Sequence, residues 1–334
     1  MVMISAGGAQ AAPQARGEWA RHWSCPGLPG LDLLRARYVR HSFPRHAHDG
    51  YVICVVTSGI EAVGLRDGVV RAGRGGIVMI NPEVPHSARA GAPEGWTYAT
   101  LYPSAELVAA VAGETTGLRG TAGFVRTVAD EPGIGRLIAG IHRAAEAGNA
   151  LAADSLLRIA LARLLRGHGG PLPSRTPRTA GTRTAARARA VLEERMADPP
   201  TLEELARELE ASPFALLRAF RAAYGMPPHT WLTDARVRRA RRLLEADTPP
   251  AETAVAVGFT DQPHLNRHFT RIVGVPRGAY RRERAAADGA AGGVAGPRRR
   301  EAVAPAPRRP GAPAPRPTGR PAARTYKTVQ GASS

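Results

Sequence analysis

The chain has 334 residues, a length that favours two domains with additional tails. Its 46 lysines and arginines against 28 acidic residues give a net charge of +18, which favours nucleic acid as a partner over acidic small molecules. The two cysteines, Cys25 and Cys54, match neither a metal-binding spacing nor a disulfide framework. No apolar run approaches 18 residues and no signal peptide is recognisable, so we expect a cytoplasmic protein without a membrane partner.

The first half of the chain has the pattern of a small β-domain. Residues 1–16 are small and polar and are expected to be disordered. Residues 17–166 form the first predicted domain. Its first part carries short stretches rich in Val, Ile, Tyr and Thr, separated by Gly, Pro and Asp, near residues 37–41, 51–57, 60–66, 77–81 and 96–102. Many short strands with Gly-rich turns predict a β-barrel or sandwich.

Three histidines stand at the ends of these predicted strands. His46 and His48 precede a strand, and His86 follows the strand at 77–81. Because the mouth of a small barrel can hold a single ligand, we predict a pocket for a small effector. Its candidate lining residues are His46, His48, Tyr51, His86, Trp96 and Tyr98. Two alternatives are that the histidines only form hydrogen bonds within the barrel, or that three imidazoles hold Zn²⁺ with one position open.

This β-rich part resembles the cupin-type effector domain that precedes the DNA-binding domain in many AraC-type regulators. The resemblance is carried by residues 46–53, Gly59, residues 76–87 and residues 95–103. Metal-binding cupins place a Glu after the His-x-His pair, where this chain has Val52. The resemblance implies that the histidines are kept without a metal, so we predict neither a metal nor another cofactor.

Helical periodicity replaces the strand pattern after residue 103. Predicted helices cover residues 105–111, 134–147 and 151–165, and the last two carry wide apolar stripes. These stripes either pack within one subunit or form a homodimer, as the resemblance implies. Residues 167–185 are rich in Gly, Pro, Ser and Thr and are predicted to be a flexible linker that lets two domains reorient.

Residues 186–284 contain two similar helix-turn-helix patterns joined by a helix at 231–246. In the first pattern, Ser212 is placed as the N-cap of the second helix and Gly225 as its end. In the second pattern, Asp261 caps a helix in which Leu265 and Phe269 form the buried stripe. Side chains on the opposite faces are predicted to contact DNA.

This stretch resembles the DNA-binding domain of AraC/XylS-type regulators. The matching residues are Leu205, Ala206, Ser212, Pro213, Leu216, Arg218, Phe220, Gly225, Arg236, Ala240, Leu243, Leu244, Ala256, Gly258, Phe259, Asp261, Leu265, Arg267, Phe269, Gly274, Tyr280 and Arg281. The resemblance implies that the second helix of each unit enters a major groove. The base-facing candidates by motif position are Phe214, Leu217, Arg218, Gln262, Pro263, Asn266 and Arg267. We also predict a DNA contact for Arg221, on the second helix of the first unit. Arg238, on the joining helix, is predicted to contact phosphate.

The predicted fold class is a multidomain α+β chain, with a cupin-like β-barrel and packed helices followed by an all-α double helix-turn-helix domain. The predicted function is an AraC-type, sequence-specific transcription regulator of double-stranded DNA, not an enzyme. The resemblance leans to activation through RNA polymerase, with repression by occlusion as the alternative. Two rivals are a metal-dependent cupin enzyme fused to a DNA-binding module and an architectural DNA binder. The basic tail at 285–334 is predicted to be disordered.

Overall fold

The computed structural model of the protein describes residues 17–25, 27–117, 121–172 and 179–280, and the expectations for 1–16 and 285–334 lie outside them. The strands are β1 (Trp19–Ser24), β2 (Leu31–Tyr38), β3 (Ser42–His46), β4 (Val52–Gly59), β5 (Glu61–Leu65), β6 (Gly68–Ala72), β7 (Gly76–Ile80), β8 (His86–Ala90), β9 (Trp96–Pro103), β10 (Ala122–Phe124), β11 (Val128–Asp130) and β12 (Gly169–Pro171). The helices are α1 (Ala105–Thr115), α2 (Pro132–Glu146), α3 (Ala150–His168), α4 (Ala180–Glu194), α5 (Leu202–Glu208), α6 (Pro213–Tyr224), α7 (Pro228–Glu245), α8 (Pro250–Ala256) and α9 (Gln262–Val273).

The β-domain contains two large antiparallel sheets and a small two-stranded sheet formed by β10 and β12. The six-stranded sheet has the order β1-β2-β9-β4-β7-β11, and the four-stranded sheet has the order β3-β8-β5-β6. Alternating residues of β4 divide between two cores, because successive side chains on a strand point to opposite faces. Val52, Cys54 and Val56 join the core between the sheets, whereas Ile53 and Val55 face the helices.

Of the segment predicted as a strand near residues 37–41, the first two residues end β2 and residues 39–41 connect β2 to β3. The backbone N–H groups of Val39, Arg40 and His41 all donate to Oε1 of Glu18, at 2.8, 2.6 and 2.9 Å. A carboxylate that accepts three adjacent N–H groups satisfies donors that a sheet would otherwise pair. A side chain distant in sequence therefore sets this turn.

Helices α1, α2 and α3 pack on the outer face of the six-stranded sheet. Ile138 of α2 and Leu157 and Leu161 of α3 are fully buried there. Most of the predicted apolar stripe of α3 is thus covered within the chain, although Leu151 and Ile159 are 79% and 55% exposed. Among the described residues, no helix has the combination of length and apolar character that crossing a bilayer requires.

The range predicted as a linker, 167–185, carries regular structure at both ends. Helix α3 continues to His168, β12 then pairs antiparallel with β10, and α4 starts at Ala180. Gly169 is required at this transition because a Cβ there would lie 2.1 Å from the carbonyl oxygen of Leu165. Residues 173–178 lie outside the described part of the chain.

The C-terminal domain contains the two expected helix-turn-helix units, α5–α6 and α8–α9, joined by α7. The side chain of Ser212 accepts from the backbone N–H of Ala215 at 3.2 Å, and Asp261 caps α9 in the same way. Gly225 and Gly274 end the two helices with φ of 68° and 84°, a left-handed conformation that suits glycine.

The two units have different hydrophobic surroundings. Leu205, Leu216 and Phe220 belong to a core confined to the first unit and its neighbours α4 and α7. In the second unit, Leu265 and Phe269 belong to the same cluster as the residues between the two sheets of the barrel. Helices α7 and α9 both contact β3. A shared core therefore joins the two domains in this arrangement, and their reorientation on DNA stays a prediction.

Candidate DNA-binding surface and effector site

The second helices of the two helix-turn-helix units, α6 and α9, are called the reader helices below. The first of them, α6, carries its predicted DNA-contacting residues on the face opposite its buried side. Leu216 and Phe220 are fully buried, whereas Phe214 is 76% exposed. Arg218 and Arg221 are exposed and Leu217 is half-buried. An exposed phenylalanine beside two exposed arginines provides both apolar and cationic contacts for a nucleic acid.

The second reader helix, α9, has the same division of faces. Leu265 and Phe269 are buried, Pro263 and Arg267 are exposed, and Gln262 and Asn266 are half-buried. Oδ1 of Asn266 accepts from Nε of Arg277 at 2.8 Å. This hydrogen bond engages the side-chain amide of Asn266. Its oxygen would have to leave Arg277 before the amide could pair with a base.

The barrel touches both reader helices near their C-terminal ends. The hydroxyl of Tyr38 donates to the carbonyl oxygen of Gly274 at 2.8 Å, beyond the end of α9. Nη1 of Arg66 donates to the carbonyl oxygen of Ala222, in the last turn of α6, at 2.9 Å. The exposed faces around Arg218 and Arg267 lie in the N-terminal and middle turns and are not covered by these contacts.

Arg238, which we expected to contact phosphate, instead binds the barrel. Its Nη1 donates to Oδ1 of Asp49 at 2.5 Å, and Nη1 of Arg242 donates to Oδ2 of the same residue at 2.7 Å. Only 14% of the Arg238 side chain is exposed. In this structure α7 lies against the barrel, and an aspartate from that domain occupies the position that we assigned to phosphate.

Two further polar contacts fix α7 against the barrel. Nη2 of Arg241 donates to Oδ2 of Asp32 at 2.9 Å. The backbone N–H of Ala47 donates to Oδ2 of Asp234 at 3.3 Å. Burial raises the pKa of Asp234 to about 7, against the opposing effect of the nearby Arg238 guanidinium and the Ala47 N–H. Sequence analysis missed these acidic residues, because no local pattern shows which arginines they meet.

The three histidines of the β-domain converge. Nε2 of His46 lies 3.1 Å from Nε2 of His48, and ring nitrogens of His46, His48 and His86 all lie within 4.8 Å of one another. Burial lowers the pKa of His46 to about 4 and that of His86 to about 3. The pKa of His48 is also well below its ordinary value, first because of burial and then because of its two histidine neighbours.

Of the other predicted effector residues, Tyr51 borders the same cleft as His48, whereas Trp96 and Tyr98 do not share a pocket with the histidines. Trp96 and Tyr98 stack at 5.8 Å between ring centroids and fill the core between the sheets. Tyr51 faces the helices, where its hydroxyl donates to the carbonyl oxygen of Ala122. The strand alternation separates these side chains, since Tyr51 and the two β9 aromatics point to opposite faces of the six-stranded sheet.

Two of the cavities where the barrel meets α7 are lined by residues of the predicted effector set. A cleft of about 500 Å³ is bounded by His48 and Tyr51 from the predicted set, and also by Asp32, Asp49, Tyr102, Arg241 and Arg242. A smaller cavity of about 40 Å³ is lined by His46 and His48 on the barrel side and by residues of α7 and α9 on the other. The first is large enough for a small ligand.

Comparisons with known proteins identify both halves of the chain. The family described as AraC-like ligand binding domain matches residues 28–165, and the family described as helix-turn-helix domain matches residues 205–283. The HTH-type transcriptional regulator YbfI of Bacillus subtilis is 24% identical over 236 residues, which cover 70% of this chain and 86% of YbfI. The regulatory protein Ada of Salmonella typhimurium is 34% identical over 84 residues, which cover 25% of this chain and 24% of Ada.

Among solved structures, ToxT of Vibrio cholerae, in a crystal structure with an unsaturated fatty acid bound, is 11% identical with a TM-score of 0.47. The match covers 79% of this chain and 94% of that one.

Proposed function

Because the chain belongs to the AraC-type transcription regulators, which join a ligand-binding domain to a helix-turn-helix DNA-binding domain, we propose that α6 and α9 read two successive major grooves. The observation that supports this proposal best is the exposure of Arg218 and Arg267 at matching places on the two reader helices. Each helix buries its apolar face within the molecule and leaves its cationic face outward.

The exposed side chains divide by the kind of base contact that they can make. Arg218 and Arg267 can form paired hydrogen bonds with guanine O6 and N7, and Gln262 can pair with adenine. Phe214 and Pro263 suit apolar contact with thymine methyl groups. The half-buried Leu217 and Asn266 would make further base contacts, and Arg221 in the last turn of α6 suits phosphate.

Selection of binding sites from random duplexes by the full chain tests this proposal. We expect a motif with two half-sites whose centres are about 10 base pairs apart, one helical turn. Replacing Arg218 and Arg267 together by alanine should abolish the motif. The exposed Arg207→Ala on α5 serves as the matched control and should retain the motif. Strong binding without any motif would instead favour an architectural DNA binder.

The small-molecule effector is proposed to bind in the cleft of about 500 Å³ between the barrel and α7. Arg241 and Arg242 are held there by Asp32 and Asp49. An effector with a carboxylate or phosphate group can replace these partners, because the same guanidinium geometry suits either anion. Such an exchange would release α7 from the barrel and couple effector binding to the position of the reader helices.

Thermal-shift titration of the full chain with a panel of small anions, cations and neutral metabolites tests the effector site. An anionic hit should lose at least tenfold in affinity in Arg242→Gln. The adjacent Arg239→Gln is the matched control, since Arg239 is exposed and does not border this cleft. A hit whose affinity is the same in both variants binds elsewhere.

The composition of the histidine cluster favours a regulator over a metal-dependent enzyme. Val52 occupies the place of the cupin glutamate, and within the described ranges no carboxylate joins His46, His48 and His86. Metal-binding cupins place a glutamate at this position, so the valine there favours a regulator over a metal-dependent cupin enzyme. We therefore propose that the chain is not an enzyme.

The proposal also covers the oligomeric state of the protein, its effect on transcription and its location in the cell. Leu151 and Ile159, eight residues apart on α3, leave an exposed apolar face that suits a second copy of the chain. We propose a homodimer that activates transcription by contact with RNA polymerase in the cytoplasm, where bacterial DNA is found. Sedimentation of the variant Leu151→Glu with Ile159→Glu should show a monomer, and an unchanged mass would remove this face from the interface.

A further inference from the structure

The contact between the barrel and the DNA-binding domain contains a group of three imidazoles. His46 ends β3 and His86 begins β8, and the two residues are direct partners in the pairing of these strands. His48 lies two residues beyond His46, so its ring reaches the same point from the following loop. The ring centroids of His46 and His86 are 4.4 Å apart, and those of His48 and His86 are 5.3 Å apart.

Backbone carbonyls fix the orientation of two of these rings. Nδ1 of His46 donates to the carbonyl oxygen of Pro44 at 2.8 Å, and Nδ1 of His86 donates to that of Val84 at 2.9 Å. In a neutral imidazole the opposite nitrogen, Nε2, then carries a lone pair. A carbonyl bound to the second nitrogen is the usual arrangement of a metal-binding histidine, because it fixes both the tautomer and the ring plane.

The spacing of the nitrogens fits a four-coordinate ion. With metal–nitrogen bonds of about 2.0–2.1 Å, two ligands of a tetrahedral site lie about 3.3 Å apart. Nε2 of His46 and Nε2 of His48 are separated by 3.1 Å, and the third nitrogen lies within 4.8 Å. We propose that His46, His48 and His86 bind one divalent transition-metal ion, and that Zn²⁺ is the best match for three imidazole ligands.

A fourth ligand has space at this point. The cavity of about 40 Å³ borders His46 and His48, and one water molecule needs about 10–15 Å³ of such volume. Val237 of α7 and Ile272 of α9 close the cavity from the side of the DNA-binding domain. The ion and its water would therefore lie at the contact between the two domains, shielded from solvent.

Charges around the site act in opposite directions. Arg238 and Arg241 of α7 line the same cavity as His46 and His48, and their positive charges disfavour a cation. Their guanidinium groups are already paired with Asp49 and Asp32. The buried carboxylate of Asp234 accepts from the N–H of Ala47, between the two ligands, and would favour a cation. The alternative is a simple N–H···N hydrogen bond between His46 and His48, which assigns no role to His86.

Calorimetric titration of metal-free full chain with Zn²⁺ tests the proposal. We expect saturation at one ion per chain, and at least a tenfold loss of affinity in each of His46→Gln, His48→Gln and His86→Gln. His229→Gln is the matched control, because His229 is exposed on α7 and lies outside the cluster. Titration with Co²⁺ should give the strong visible absorption of a four-coordinate site.

A rescue variant separates loss of a ligand from loss of the fold. His48→Cys should still bind the ion, and its Co²⁺ form should gain a thiolate-to-metal absorption band that the parent chain lacks. Absence of saturable binding in the parent chain would overturn the proposal. So would binding that persists unchanged when all three histidines are replaced, since the ion would then occupy another part of the surface.

Discussion

Glu61 provides the sharpest stability test, because it is a carboxyl group inside the barrel. It begins β5, is almost completely buried, and accepts from the thiol of Cys54 at an S–O distance of 3.7 Å. Burial raises its pKa from 4.5 to about 7, against the smaller opposing effect of that thiol. At neutral pH the folded protein therefore holds much of this group in its protonated form.

The sign and size of the pH dependence follow from this pKa. A carboxyl whose pKa is higher in the folded state contributes stability below pH 4.5, and that contribution is lost as the pH rises through about 7. Since each pKa unit is worth about 1.4 kcal/mol, the loss amounts to about 3 kcal/mol. Glu61→Gln cannot ionise, so it should gain about 3 kcal/mol relative to the parent between pH 4 and pH 8.

Thermal unfolding of both proteins at pH 4, 6 and 8 measures this gain. For a domain of this size, 3 kcal/mol corresponds to a shift of the midpoint by about 6–12 °C. The exposed Glu203→Gln on α5 is the matched control and should show no such trend. A constant difference between the Glu61→Gln and parent midpoints at all three pH values would refute the reasoning.

Three further predictions concern the DNA-binding domain. Arg267→Ala should weaken binding to the selected site by about 1–3 kcal/mol and relax the base preference at one position, and equal weakening on all sequences would show a phosphate contact. Arg238→Ala should leave the salt dependence of DNA affinity unchanged in gel-shift titrations, because Asp49 already binds this side chain; a flatter slope would place it on phosphate. Tyr38→Phe should lower the thermal midpoint by the equivalent of about 1 kcal/mol, since it removes a buried bond to Gly274; an unchanged midpoint would show that the bond contributes nothing.

Local signals in the sequence were sufficient for the DNA-binding domain. Helix caps at Ser212 and Asp261 and glycines at 225 and 274 depend on a few neighbouring residues, and the structure places each as expected. The comparisons also confirm the fold class and the family. Both could be predicted because hydrophobic periodicity and ordered motifs can be seen in the sequence itself. The DNA-contacting residues remain predictions.

Tertiary structure alone decided which charges and aromatic rings meet. No spacing rule connects Asp49 with Arg238, or Glu18 with the turn at residues 39–41, because the partners are far apart in the chain. Likewise, Tyr51 and Tyr98 were assigned to one pocket, but they lie on opposite faces of a sheet whose register the sequence did not specify. Periodicity determines whether a residue is buried, whereas the packing of complete domains determines what it is buried against.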